Sequence, residues 1–122
     1  MKFAWLLAML AAATGLGLWL GWRFLRRQRN PPVHAAVHLL LGGAALEGFV
    51  ILRRGAPDGT VLPFEGLGNT AALLLVGAML SGLAAPLVAQ WWGRRPVGVV
   101  LAAHAAAGLA GAAALVTWIL RN

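Results

Sequence analysis

The stretch NPPVHAAVHLLLGGAALEGFVILRR, residues 30–54, places two histidines and one glutamate inside a run that is otherwise almost wholly apolar. From Val33 to Leu52 the run is 20 residues long. At 1.5 Å rise per residue a helix of that length crosses about 30 Å, the thickness of the hydrocarbon layer of a bilayer. Three further blocks of similar length and apolarity follow the same rule, so the expected spans are residues 3–22, 33–53, 69–92 and 96–120. The fold class that follows is all-α: an integral membrane four-helix up-down bundle, with residues 1–122 forming one transmembrane domain.

Composition supports this independently. The hydrophobic fraction is 61%, the charged fraction 11% and the mean hydropathy +0.80, whereas a soluble domain carries about 25% charged residues. A chain with so few charges has too little polar surface to cover a water-soluble core. Lys2 followed by an apolar run and Ala11–Ala13 also has the outline of a secretory signal peptide. Its length, and the arginines that follow it, favour a retained helix. The absence of cysteine excludes disulfides, thiolate metal sites, iron–sulfur clusters and covalent attachment of a c-type haem. The net charge of +7 is not a nucleic-acid footprint, because Arg23, Arg26, Arg27, Arg29, Arg94 and Arg95 all border apolar spans, where lipid headgroups are the natural partners.

The charge alternates along the connections. Residues 23–32 carry four arginines and 93–96 two, against Lys2, Arg53, Arg54 and Arg121 on the opposite side, which also holds Asp58 and Glu65. By the positive-inside rule, loops 23–32 and 93–96 face the cytoplasm and both termini lie outside, in a bacterial inner membrane. Tryptophans at span ends agree with these boundaries: Trp19, Trp22, Trp91 and Trp92 at the inner interface, Trp5 and Trp118 at the outer. Asn30 with Pro31 is expected to open the second helix, Asn69 to cap the third, and Gly93 to end the third before Pro96 opens the fourth. Pro57-Asp58-Gly59 is a turn signal, and Val61, Leu62 and Phe64 after it are apolar enough to dip into the outer leaflet, to dock on a partner or to fold back over the bundle. Pro86 is expected to kink the third span. Small residues at close-packing spacing, Gly17 with Gly21, Ala44 with Gly48, Gly77 with Ser81 and Ala85, and Gly108 with Gly111, permit helices to approach in lipid. No repeat of 20 to 50 residues is apparent.

The histidines carry the functional question. His38 lies seven residues after Pro31 and His104 eight after Pro96. Both are therefore about 10–12 Å deep from the same face of the membrane. Diagonal helices of a bundle are roughly 11–14 Å apart, which suits two imidazoles reaching one iron from opposite faces of a macrocycle. The reading is one b-type haem held by His38 and His104, with His34 nearer the surface, Gly42 and Gly108 leaving room for the porphyrin, and Arg26, Arg27 or Arg29 available to the propionates. Contact with a quinone is a related reading, and interhelical hydrogen bonding by neutral histidines is the purely structural one. His34 and His38 have the spacing of a metal pair, but a zinc site needs a third ligand that the sequence does not supply.

Glu47 points away from His38 and shares a stripe with Arg54, so the two are expected either to pair or to leave Glu47 as a proton- or cation-carrying carboxylate. No catalytic constellation is present. The layout resembles small bacterial four-helix membrane cytochromes b in having four spans with histidines at matched depth. The resemblance covers only His38 and His104 and lacks the second histidine pair of two-haem members, so it implies at most one haem. Three roles follow as expectations: an electron-transfer subunit of a respiratory or redox complex, an accessory or anchor subunit packed against larger membrane partners, or a small transporter or channel using Glu47 as a homo-oligomer. The lipid bilayer is the expected partner in all three, and nucleic acid in none.

Overall fold

The computed structural model describes residues 3–54 and 66–122. It contains four helices: α1 (Ala4–Leu25), α2 (Pro32–Arg54), α3 (Leu67–Trp92) and α4 (Arg94–Arg121). All four are long and apolar enough to cross a membrane. Lys2, Pro57, Asp58, Gly59, Val61, Leu62, Phe64 and Glu65 lie outside the described residues, so the expectations placed on them are not addressed by the fold.

The helices form an up-down bundle. α1 packs on α2, α3 on α4, and the ring is closed by narrower α1–α4 and α2–α3 contacts, while across the diagonals only side chains meet among the described residues. The closest partnership is α3 with α4. Its cause is visible in residues 102–108, AAHAAAG, where small side chains let the two backbones approach. At Gly111 a Cβ would come within 2.9 Å of Leu75. Gly48 and Gly17 are likewise covered by a neighbour, whereas Gly21 and Gly77 face open space. The small-residue spacing thus marks several helix contacts, and which members of each pair are used depends on how each helix is rotated.

The boundaries differ from expectation at three caps. α2 begins at Pro32 without an Asn30 cap. Asn30 instead donates from Nδ2 to the carbonyl of Leu20 at 3.1 Å, while its Oδ1 accepts from Arg23 Nε at 3.3 Å. It ties down the end of the preceding helix. That end is a Schellman motif: Arg27 adopts φ 58°, its N–H donates to Phe24 O, and the N–H of Gln28 donates to Arg23 O. α3 starts after Gly66, which leaves Asn69 inside the first turn, and α4 starts at Arg94, with Pro96 in its first turn. Gly93, at φ 80°, separates α3 from α4 as the sequence suggested. α3 runs through Pro86 without interruption.

Two polar ties define the ends of the bundle. At one end, Arg94 donates to the carbonyl of Phe24 at 2.6 Å, which joins the α1–α2 and α3–α4 turns and gathers the arginine-rich connections together. At the other end lies the main core: Leu6, Leu10, Ala45, Phe49, Ala71, Leu115, Trp118 and Ile119. Trp118 belongs to this core and is only 5% exposed, so it does not sit in an outward aromatic belt. Its ring meets Phe49 and Phe3 edge-on, with centroids 5.2 and 6.0 Å away. Trp19, Trp22, Trp91 and Trp92 at the opposite end are exposed, as an interfacial girdle requires.

Candidate functional site

His38 and His104 meet across the diagonal of the bundle, with ring centroids 5.8 Å apart and planes at 80°. Each is held by the helix that precedes its own. His38 Nδ1 lies 2.9 Å from the carbonyl of Ala13 on α1, and His104 Nδ1 lies 2.6 Å from the carbonyl of Ala78 on α3. A carbonyl only accepts, so each Nδ1 carries the proton and donates. In the neutral imidazole Nε2 is then the unprotonated nitrogen. This is the tautomer of a metal-binding histidine whose ring is oriented by a backbone carbonyl. Neither Nε2 has a hydrogen-bond partner among the described residues.

Two glycines make room for the rings. A Cβ at Gly17 would lie 2.7 Å from His38 Cε1, and a Cβ at Gly82 would lie 2.9 Å from both Cε1 and Nδ1 of His104. Gly42 and Gly108, expected to leave room for a porphyrin, take no part in seating the rings. Gly42 has nothing within 4 Å of its Cβ position, and Gly108 only Ala78 Cβ at 3.8 Å. The reason is that a residue four places along the same helix follows its histidine up the same face. Space for the ring must come from the helix it leans on.

The surroundings of the pair are thinly packed. α2 buries no residue before Ala45, and α4 buries none between Val97 and Gly111. Both histidines are therefore only half-buried, inward of the main core. The 5.8 Å separation is compatible with one metal ion between two imidazoles only where both Nε2 atoms turn toward it. Two metal–nitrogen bonds of about 2 Å plus two ring radii of roughly 1.1 Å place the centroids ~6 Å apart. With two protein ligands the remaining coordination positions must be filled from elsewhere. Among the described residues no group of three or more His, Cys, Asp or Glu is positioned to hold a metal ion.

The other residues singled out from sequence fall outside this pair. His34 lies edge-on to Trp19 at 5.1 Å, with its buried Nδ1 unpartnered, and Arg23 covers the same indole at 4.9 Å. Arg26 lies 4.7 Å from the ring of Trp22, and Arg27 forms the left-handed helix end. Glu47 and Arg54 share an exposed stripe of α2, and no ion pair joins them among the described residues.

Arg53, one residue earlier than Arg54, turns inward. It is 1% exposed, donates from Nη1 to the carbonyl of Gly68 at 2.7 Å, and lies 5.5 Å over the ring of Phe49. A separate apolar groove of about 760 Å³ runs between α1 and α4, with Thr14 and Thr117 among its lining residues. Comparison with models of protein families, with curated proteins and with solved structures finds no match to this chain.

Proposed function

We propose that the protein is a small electron-transfer subunit of a redox complex in a bacterial inner membrane, holding one b-type haem between His38 and His104. The observation that carries this reading is the diagonal pair itself: two rings 5.8 Å apart, each with Nδ1 committed to a backbone carbonyl. Two unprotonated imidazole nitrogens, with no third protein donor beside them among the described residues, are a donor set that would suit a haem iron. Held there by His38 and His104, a haem would supply a one-electron couple for electron transfer. The sparsely packed length of α2 and α4 around the pair is where hairpins can part to admit a flat group.

The protein's own contribution is orientation. Ala13 and Ala78 fix the tautomer and raise ligand basicity through their carbonyls, and the apolar helices exclude water. The groove beside Thr14, whose neighbour Ala13 holds His38, opens sideways between α1 and α4. It supports a second reading, in which a quinone from the bilayer approaches the histidine level. A channel through a single bundle gains no support from Glu47, because that side chain lies on the outer surface.

Absorption spectroscopy tests the main reading. Protein purified from haem-replete cells should show a Soret band that is lost in both His38→Ala and His104→Ala and retained in His34→Ala. A colourless preparation, or a band indifferent to His38 and His104, overturns it.

A further inference from the structure

The bundle is built from two hairpins that repeat the same plan at a separation too long for the usual short-repeat periods. On α1 and α3, Leu6, Ala13, Gly17 and Leu20 correspond to Ala71, Ala78, Gly82 and Ala85, each pair 65 residues apart. Three of these pairs are buried, and the fourth, Gly17 with Gly82, faces the histidines. On α2 and α4, His38, Gly42, Ala45 and Phe49 correspond to His104, Gly108, Gly111 and Leu115, each pair 66 residues apart. Ala45, Phe49, Gly111 and Leu115 are all buried.

Coincident buried positions alone would be weak, since any two amphipathic helices with seven-residue spacing can be aligned on them. The register of the polar contact is the stronger sign. In both hairpins the first helix presents a carbonyl acceptor four residues before a glycine, and the second presents a histidine four residues before another glycine. The one-residue change of offset falls between the helices, where chain length is free to vary.

We infer that the chain is a duplicated histidine hairpin in which Gly17 and Gly82 are equivalent positioning residues, each opening the space that lets one imidazole seat on the carbonyl a turn away. The helix order places a pseudo-two-fold axis along the bundle, exchanging α1 with α3 and α2 with α4, with the histidine pair astride it. The hairpins have diverged in packing. Leu39, Leu40 and Leu41 follow His38 where three alanines follow His104, and the second hairpin is the closer one, with the shorter histidine bond. The inference does not depend on haem, because it concerns only how the chain holds its own rings.

The test is a pair of double-mutant cycles on the colourless full-length protein in detergent, read as thermal midpoints. Gly17→Ala should lower the midpoint when His38 is present and leave it unchanged in a His38→Ala background. Gly82→Ala should behave the same way with His104. The crossed combinations, Gly17→Ala with His104→Ala and Gly82→Ala with His38→Ala, should be additive. A single variant that fails to fold while its matched double folds is the strongest form of the expected coupling. Equal losses with and without the matched histidine, failure of both single and double, or coupling in one hairpin only, overturns the inference.

Nitrogen NMR of the unsubstituted protein gives an independent readout. Both imidazoles should be protonated at Nδ1, and the opposite tautomer at either one overturns the shared seating.

Discussion

The indole of Trp5 occupies the space where Gly48 would carry a Cβ. This contact brings α1 onto α2 beside the main core, next in sequence to Leu6 and Phe49, both fully buried. In lipid there is little hydrophobic gain from bringing helices together, so close fit of this kind supplies much of the association energy.

Gly48→Ala should therefore displace the ring and cost about 1–3 kcal/mol, the usual penalty of overpacking. A lowered thermal midpoint together with altered tryptophan fluorescence is the expected result. Gly21→Ala, where nothing lies within 4 Å, is the control and should be silent.

The adjacent arginines at the end of α2 should respond in opposite ways. Arg53→Ala removes a buried guanidinium that donates to Gly68 O and covers Phe49, and should destabilise the bundle by roughly 2–4 kcal/mol. Arg54→Ala, on the exposed stripe, should stay within about 0.5 kcal/mol. Thermal unfolding in a fixed detergent compares the two, and equal losses would contradict the burial of Arg53.

Glu47 faces outward from α2, where an unpartnered carboxylate would meet hydrocarbon. Glu47→Gln should leave the isolated bundle within about 0.5 kcal/mol of the parent and leave any histidine-dependent spectrum intact. On the proposed role as a subunit of a larger complex, its effect should appear as reduced co-purification of the partner subunits. A changed spectrum in the variant would place Glu47 closer to the histidines than the fold does.

Orientation is open to direct labelling, because the chain has no cysteine of its own. A single cysteine at Gln28, in the arginine-rich turn, should react with an impermeant reagent only from the cytoplasmic side, and one at Asn122 only from the opposite side. The reverse pattern would invert the assigned topology without altering the bundle.

The spans were legible because transfer into lipid is summed over some 20 residues, so no single side chain decides it. The matched depth of His38 and His104 was legible for a related reason, since rise per residue converts sequence distance into height. Rotation about each helix axis is not encoded so redundantly. It depends on which side chains of neighbouring helices interlock, and so Trp118 turned into the core, Arg53 rather than Arg54 turned inward, and Gly17 and Gly82 came to face the rings. Asn30 illustrates the same limit at a turn: its side chain could serve either flanking helix, and the left-handed turn at Arg27 directs it back to α1.

By itself, the amino-acid order determined four membrane-length helices, the alternation of their directions and the height at which two histidines enter the bundle. Only the tertiary structure decided that those histidines meet at 5.8 Å, each committed through Nδ1 to a carbonyl of the preceding helix. Heights follow from counting along one chain, whereas a meeting across a diagonal requires the rotations of all four helices to be settled together by packing.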